Sequence, residues 1–80
     1  MENDLEWNRI EDAALAILYL TLHDGNRVWK QIDWDITDRL HEQGMIADPR
    51  NKAKSLVLTP EGLERAERKF RELFERRSAD

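Results

Sequence analysis

The side chains that could do chemistry are few and fall into three groups. Arg50, Lys52 and Lys54 stand in the polar run Pro49-Arg50-Asn51-Lys52-Ala53-Lys54, which holds three basic residues and no acidic one. Cations at such a tip suit a phosphate backbone or the minor groove of DNA, although a solvated turn has the same composition. Trp29 and Trp34 form an aromatic pair that, if exposed, could anchor a protein partner or stack on a base. In so small a domain at least one of them is expected in the core. Phe70 and Phe74 lie one helical turn apart and are candidates for core packing or for a partner contact.

The third group leads nowhere. His23-Asp24 and His41-Glu42 offer ligand atoms, but no spacing fixes them around a metal. Ser55 and Ser78 lie in no nucleophile-elbow motif, and no glycine-rich phosphate loop exists. No catalytic residue, metal site or cofactor is expected.

Eighty residues suit one domain, and the hydrophobic and charged fractions, 40% and 38%, are those of a folded chain. The absence of cysteine removes disulfides and thiolate chemistry. The longest apolar run, Ala13–Leu20, is far too short to span a bilayer. The acidic start MENDLEW lacks the basic region of a signal peptide. A cytoplasmic protein without membrane contact is expected. The net charge of −4 is unevenly spread: residues 1–48 carry −7 and residues 49–80 carry +3. The acidic total opposes binding to phosphate, while the basic C-terminal part favours it.

These residues need elements to hold them. A first helix over about 8–22 is expected from the spacing of Ile10, Ala13, Ala14, Ile17, Leu18 and Thr21, with Asn8 and Glu11 as a capping box. Gly25 is expected to end it. Arg27–Ile32 reads as a short extended segment. A second helix spans about 34–43, capped by Asp33, with Ile36 and Leu40 buried and Gly44 at its exit. Residues 46–48 and 55–59 read as a two-stranded hairpin around the basic tip, with Leu56 and Leu58 on one face and Val57 on the other. Thr59-Pro60-Glu61 caps a last helix over about 60–76. Its outer face is expected to pair Glu61–Arg65, Glu64–Arg68, Glu67–Arg71 and Glu72–Arg76. The end at Ser78-Ala79-Asp80 is expected to fray. The fold class is α+β, a small winged-helix-like domain.

Arg39–Gly62 resembles the end of the recognition helix, the wing and the next helix start of MarR- and PadR-type bacterial regulators. Leu40, Gly44, Met45, Ile46, the basic wing and Leu58-Thr59-Pro60-Glu61-Gly62 carry that likeness. It implies a winged-helix fold, DNA contact through Arg50, Lys52 and Lys54, and a homodimer through the C-terminal helix. Over its whole length the chain also resembles a family of small uncharacterised bacterial proteins, in Tyr19–Gly25, Trp29-Lys30, Asp33-Trp34-Asp35, Asp38–Glu42, Asp48-Pro49 and Lys52–Ser55. That likeness implies a fold and no known activity.

The sequence departs from the regulators in two respects. Asp24–Gln43 leaves room for only one of the two helices of a helix-turn-helix. The outward positions of that helix include Asp35, Asp38 and Glu42, which phosphates would repel. Two functions from different classes therefore stand: a winged-helix regulator that uses its wing on DNA, and a protein-interaction module with a degenerate form of the same fold. For the second, Trp29, Trp34, Phe70 and Phe74 are the candidate contacts.

Overall fold

The computed structural model describes residues 5–76. Residues 1–4 and 77–80, including the expected frayed end, lie outside the described residues. The elements are α1 (Trp7–Tyr19), β1 (Arg27–Trp29), α2 (Trp34–Glu42), β2 (Ser55–Val57) and α3 (Pro60–Phe74). The class is α+β, and the arrangement is consistent with a winged-helix-like domain. β1 runs antiparallel to β2, with Arg27 opposite Val57, Val28 opposite Leu56 and Trp29 opposite Ser55. On the other edge of β2 the expected hairpin arm at 46–48 contributes one bridge, Ile46 to Leu58, and the Ala47 N–H to Val57 O bond of 2.9 Å. The longer ladder joins elements that are distant in sequence. No helix occupies 20–33; a turn and β1 fill that stretch, which leaves no second helix ahead of α2.

α1 corrects the first expectation. It starts from Glu6 without a side-chain cap, and the box between Asn8 and Glu11 does not form. Starting at Trp7 leaves Glu11 too far inside the helix to reach back to the cap. Glu11 instead turns inward and is only 2% exposed. Its Oε1 accepts a hydrogen bond from Gln43 Nε2, and its Oε2 lies 3.6 Å from Arg39 Nη1. An isolated buried carboxylate costs several kcal/mol, about the scale these two α2 partners must offset. Trp7 stacks over the guanidinium of Arg39, 4.3 Å from ring centroid to Cζ.

The buried stripe of α1 is Ala14, Leu15 and Leu18, with Ala16 also fully covered, whereas Ile17 is 51% exposed. α3 decides this. Asp12 and Tyr19, which flank Ala16 on one helical face, contact Arg65 and Phe70 of α3. Ile17 lies off that face. The helix also ends at Tyr19, well before Gly25, which sits in the turn closing the His23–Arg27 bridge.

α2 begins and ends, and α3 begins, as their sequences suggest, while α3 stops at Phe74, short of the expected 76. Asp33 accepts the Asp35 N–H at 3.1 Å. Gly44, at φ +78°, ends α2 with Met45 N–H on Leu40 O (2.9 Å) and Gly44 N–H on His41 O (3.0 Å), a Schellman closure. Thr59 accepts the Gly62 N–H at 2.9 Å and donates to Gly44 O at 2.6 Å. Leu15, Leu18, Val28, Leu40, Ile46, Leu56, Leu58 and Ala66 form the core, with Ile36, Met45 and Leu63 packed against it.

On α3 only Glu67–Arg71 forms among the four expected pairs within the described residues, at 3.4 Å. Arg71 also reaches Glu75, and Lys69 reaches Glu72. Arg65 leaves the helix surface to bind Asp12 at 2.7 Å. That hydrogen bond raises the arginine's pKa against the opposing effect of burial.

Gly62 has no room for a side chain, since a Cβ there would stand 1.8 Å from Met45 O. Gly62→Ala must push apart the α2 exit and α3, and is expected to cost about 1–3 kcal/mol of unfolding free energy. Urea denaturation measures it. Wild-type stability would contradict this close approach.

Candidate functional site

The loop at 49–54 is built mostly from its own short side chains. Asp48 Oδ1 accepts the Arg50 N–H (2.9 Å), and Asn51 Oδ1 accepts the Ala53 N–H (2.8 Å). Asn51 Nδ2 donates to Asp48 O at 3.1 Å, and its N–H to Pro49 O at 3.0 Å. Such Asx bonds hold a turn that lacks helix or strand. Pro49 is buried beneath it.

Lys30, just past β1, fastens the loop to the sheet. Its N–H donates to Lys54 O at 2.9 Å. Its Nζ donates to Pro49 O (2.8 Å), Asn51 O (3.3 Å) and Asn51 Oδ1 (3.2 Å). The same ammonium lies 5.9 Å from the centroid of Trp34. Nothing in the composition of RVWKQI singled out Lys30. The signal available was only a lysine beside a tryptophan.

The three expected cations have different fates. Arg50 pairs with Asp38 of α2 at 3.1 Å, although the arginine side chain stays 72% exposed. Lys52 and Lys54 are exposed and make no ion pair or side-chain hydrogen bond among the described residues. The expectation that a tryptophan would fill the core fails for both: Trp29 is 44% exposed and Trp34 56%. The core is filled by aliphatic side chains, and strand alternation sends Val28 in and Trp29 out.

Two open grooves result. Trp29, Lys30, Gln31, Ala53 and Lys54 line one of about 550 Å³. Trp34, Asp38, Arg50 and Asn51 line the other, about 530 Å³. The fold thus places Trp29 beside Lys54 and Trp34 beside Arg50. Phe70 and Phe74 lie elsewhere. Phe70 is half-buried against Tyr19 with ring centroids 5.2 Å apart, and Phe74 meets Phe70 edge-on at 5.9 Å.

The outer side of α2 is a different surface. Asp35, Asp38, Arg39 and Glu42 line a shallow polar pocket of about 290 Å³ with Trp7. Its carboxylates would repel a phosphate backbone. His41 Nδ1 lies 3.1 Å from Ile46 O and His23 Nδ1 2.8 Å from Thr21 O. A carbonyl only accepts, so both nitrogens carry the proton. Among the described residues no group of three His, Cys, Asp or Glu side chains is placed to hold a metal ion. Ser55 is buried and its hydroxyl accepts from Arg27 Nη1 at 2.9 Å. Among those residues no helix is long and apolar enough to cross a membrane.

Fold and surface together define a small α+β domain with an aromatic, basic loop face. The chain belongs to the family described as a domain of unknown function, DUF6429, which matches residues 6–76. It is 58% identical over 73 residues to an uncharacterized protein of Sinorhizobium fredii, y4hR, a match covering 91% of this chain and 99% of that one. No solved structure matches it.

Replacing Lys30 with Met keeps much of the stem and removes all three Nζ bonds. Amide hydrogen exchange at 50–54 is expected to accelerate about tenfold or more, with Val28 and Leu56 unchanged. Equal loop protection in both proteins would show that the loop needs no tether.

Proposed function

We propose that this chain is a non-enzymatic binding domain whose 49–54 loop contacts the phosphate backbone of nucleic acid, in the manner of the wing of a MarR- or PadR-type regulator. One observation carries the reading. Lys52 and Lys54 stand exposed, without an ion pair among the described residues, on a loop fixed by its own hydrogen bonds. A loop backbone that is already ordered adds no ordering cost of its own when its cations meet a phosphate. Arg50 supplies a third once phosphate competes with Asp38, since an exposed pair of this kind is worth about 1 kcal/mol or less. The carboxylates of α2 oppose entry into the major groove, so the contact is to backbone and carries little sequence preference. The expected cytoplasmic location accords with this.

Binding should therefore weaken steeply with salt. Lys52→Ala combined with Lys54→Ala is expected to reduce the slope of log K against log salt by about 2 on duplex DNA. Fluorescence anisotropy at several salt concentrations measures this. Absence of binding to duplex and single strands alike at low salt would remove the reading.

A second reading, a homodimer through the C-terminal helix α3, has its own support. Ile17 of α1, Leu20 at its C-terminal cap, and Leu73 and Phe74 of α3 are large apolar residues left about half exposed or more, and the two helices pack together. Between Pro60 and Arg76 the chain carries five acidic and five basic residues. A two-fold interface brings the same patch of both copies together, and this helix meets its copy charge-balanced despite the acidic total. Phe74→Glu is expected to lower the mass seen by light scattering without changing the circular dichroism. A wild-type chain that stays monomeric when concentrated would refute it.

A further inference from the structure

We infer that the groove beside Trp29 takes an unpaired base of a single-stranded nucleic acid, stacked on the open face of the indole. The inference rests on the loop's reading as a phosphate contact and narrows it to strands whose bases are free.

Trp29 is built as a platform. Its ring stacks on the imidazole of His23, with centroids 4.3 Å apart and planes at 26°. That imidazole is itself held through Nδ1–H to Thr21 O at 2.8 Å. The Trp29 N–H donates to Thr21 Oγ1 at 3.0 Å, and this hydroxyl donates to Leu18 O at 2.8 Å. Backbone and backing ring are therefore fixed before any ligand arrives, which limits the ordering cost of binding. The indole is nonetheless 44% exposed and lines a groove of about 550 Å³.

The rim has the chemistry of a nucleotide. Lys54 brings an unpaired ammonium within the described residues, and Gln31 brings an amide that can both donate and accept. Among the described residues no carboxylate lines this groove, whereas Asp38 lines that of Trp34. The contrast makes Trp29 the principal platform and Trp34, across Lys30, the secondary one. Bases in a duplex have both faces stacked on neighbours, so only an unpaired base can lie on Trp29.

The test compares a labelled oligothymidylate with a duplex of the same length at low salt, using the full chain. The single strand is expected to bind more tightly. Trp29→Ala should weaken it about 5- to 150-fold, leave the duplex unaffected and leave the salt slope unchanged, while Trp29→Phe restores most of the loss. The phenylalanine variant and circular dichroism separate stacking from damage to β1. Equal affinity for the two nucleic acids, with Trp29→Ala silent, overturns stacking and leaves the phosphate contact standing. Binding to neither overturns both.

Discussion

The crossing of two backbones at Met45 and Gly62 is the constraint on which the rest of the fold depends. The Met45 carbonyl approaches Gly62 so closely that no side chain fits between them. It also accepts the Thr59 N–H at 3.0 Å. One hydroxyl, that of Thr59, both caps α3 and donates to Gly44 O at the exit from α2. The end of one helix and the start of the next are thereby fixed to each other. Ile46–Ala47 and Ser55–Leu58 must then run side by side, and the segment between them closes as a short loop of fixed span. The span of the loop that carries the basic residues follows from this crossing.

Charge divides the surface that this frame leaves. α1 is the hub: Glu11 holds α2 through Arg39 and Gln43, and Asp12 holds α3 through Arg65 and Lys69. Those carboxylates are spent inside the molecule. Asp35 and Glu42 remain on the outer side of α2 and give that helix a negative face, the opposite of what groove insertion needs. The loop at 49–54 faces away from this disadvantage only in part, because Asp38 retains Arg50. Lys52, Lys54, Trp29 and Trp34 stay exposed around that loop.

The contrast between the two ends of α3 has the same origin. Its first turns are locked by Thr59 and the Gly62 contact, and Ala66 is fully buried. Beyond Phe70 the helix outruns the core, which is only as wide as the short sheet and α1 allow. Leu73 and Phe74 are exposed for that reason.

Local signals sufficed wherever the stabilising group lies within a few residues. The Asp33 and Thr59 caps, the Gly44 exit, the Pro60 start and the alternation of Leu56, Val57 and Leu58 are all short-range, and they specify the helix ends and the strand in the sequence alone. The basic loop was legible for the same reason. Only the tertiary structure decided what long-range packing controls. It drew Glu11 inward, away from a local cap, because Arg39 and Gln43 arrive from α2. It paired β2 with Arg27–Trp29, since those backbone groups and the apolar Val28 meet there after α2 has turned the chain back. It left both tryptophans outside because the aliphatic core was already full, and it made Lys30 the tether of a loop 19 residues away. Periodicity reports which residues share a face; what covers that face depends on neighbours that a linear pattern does not name.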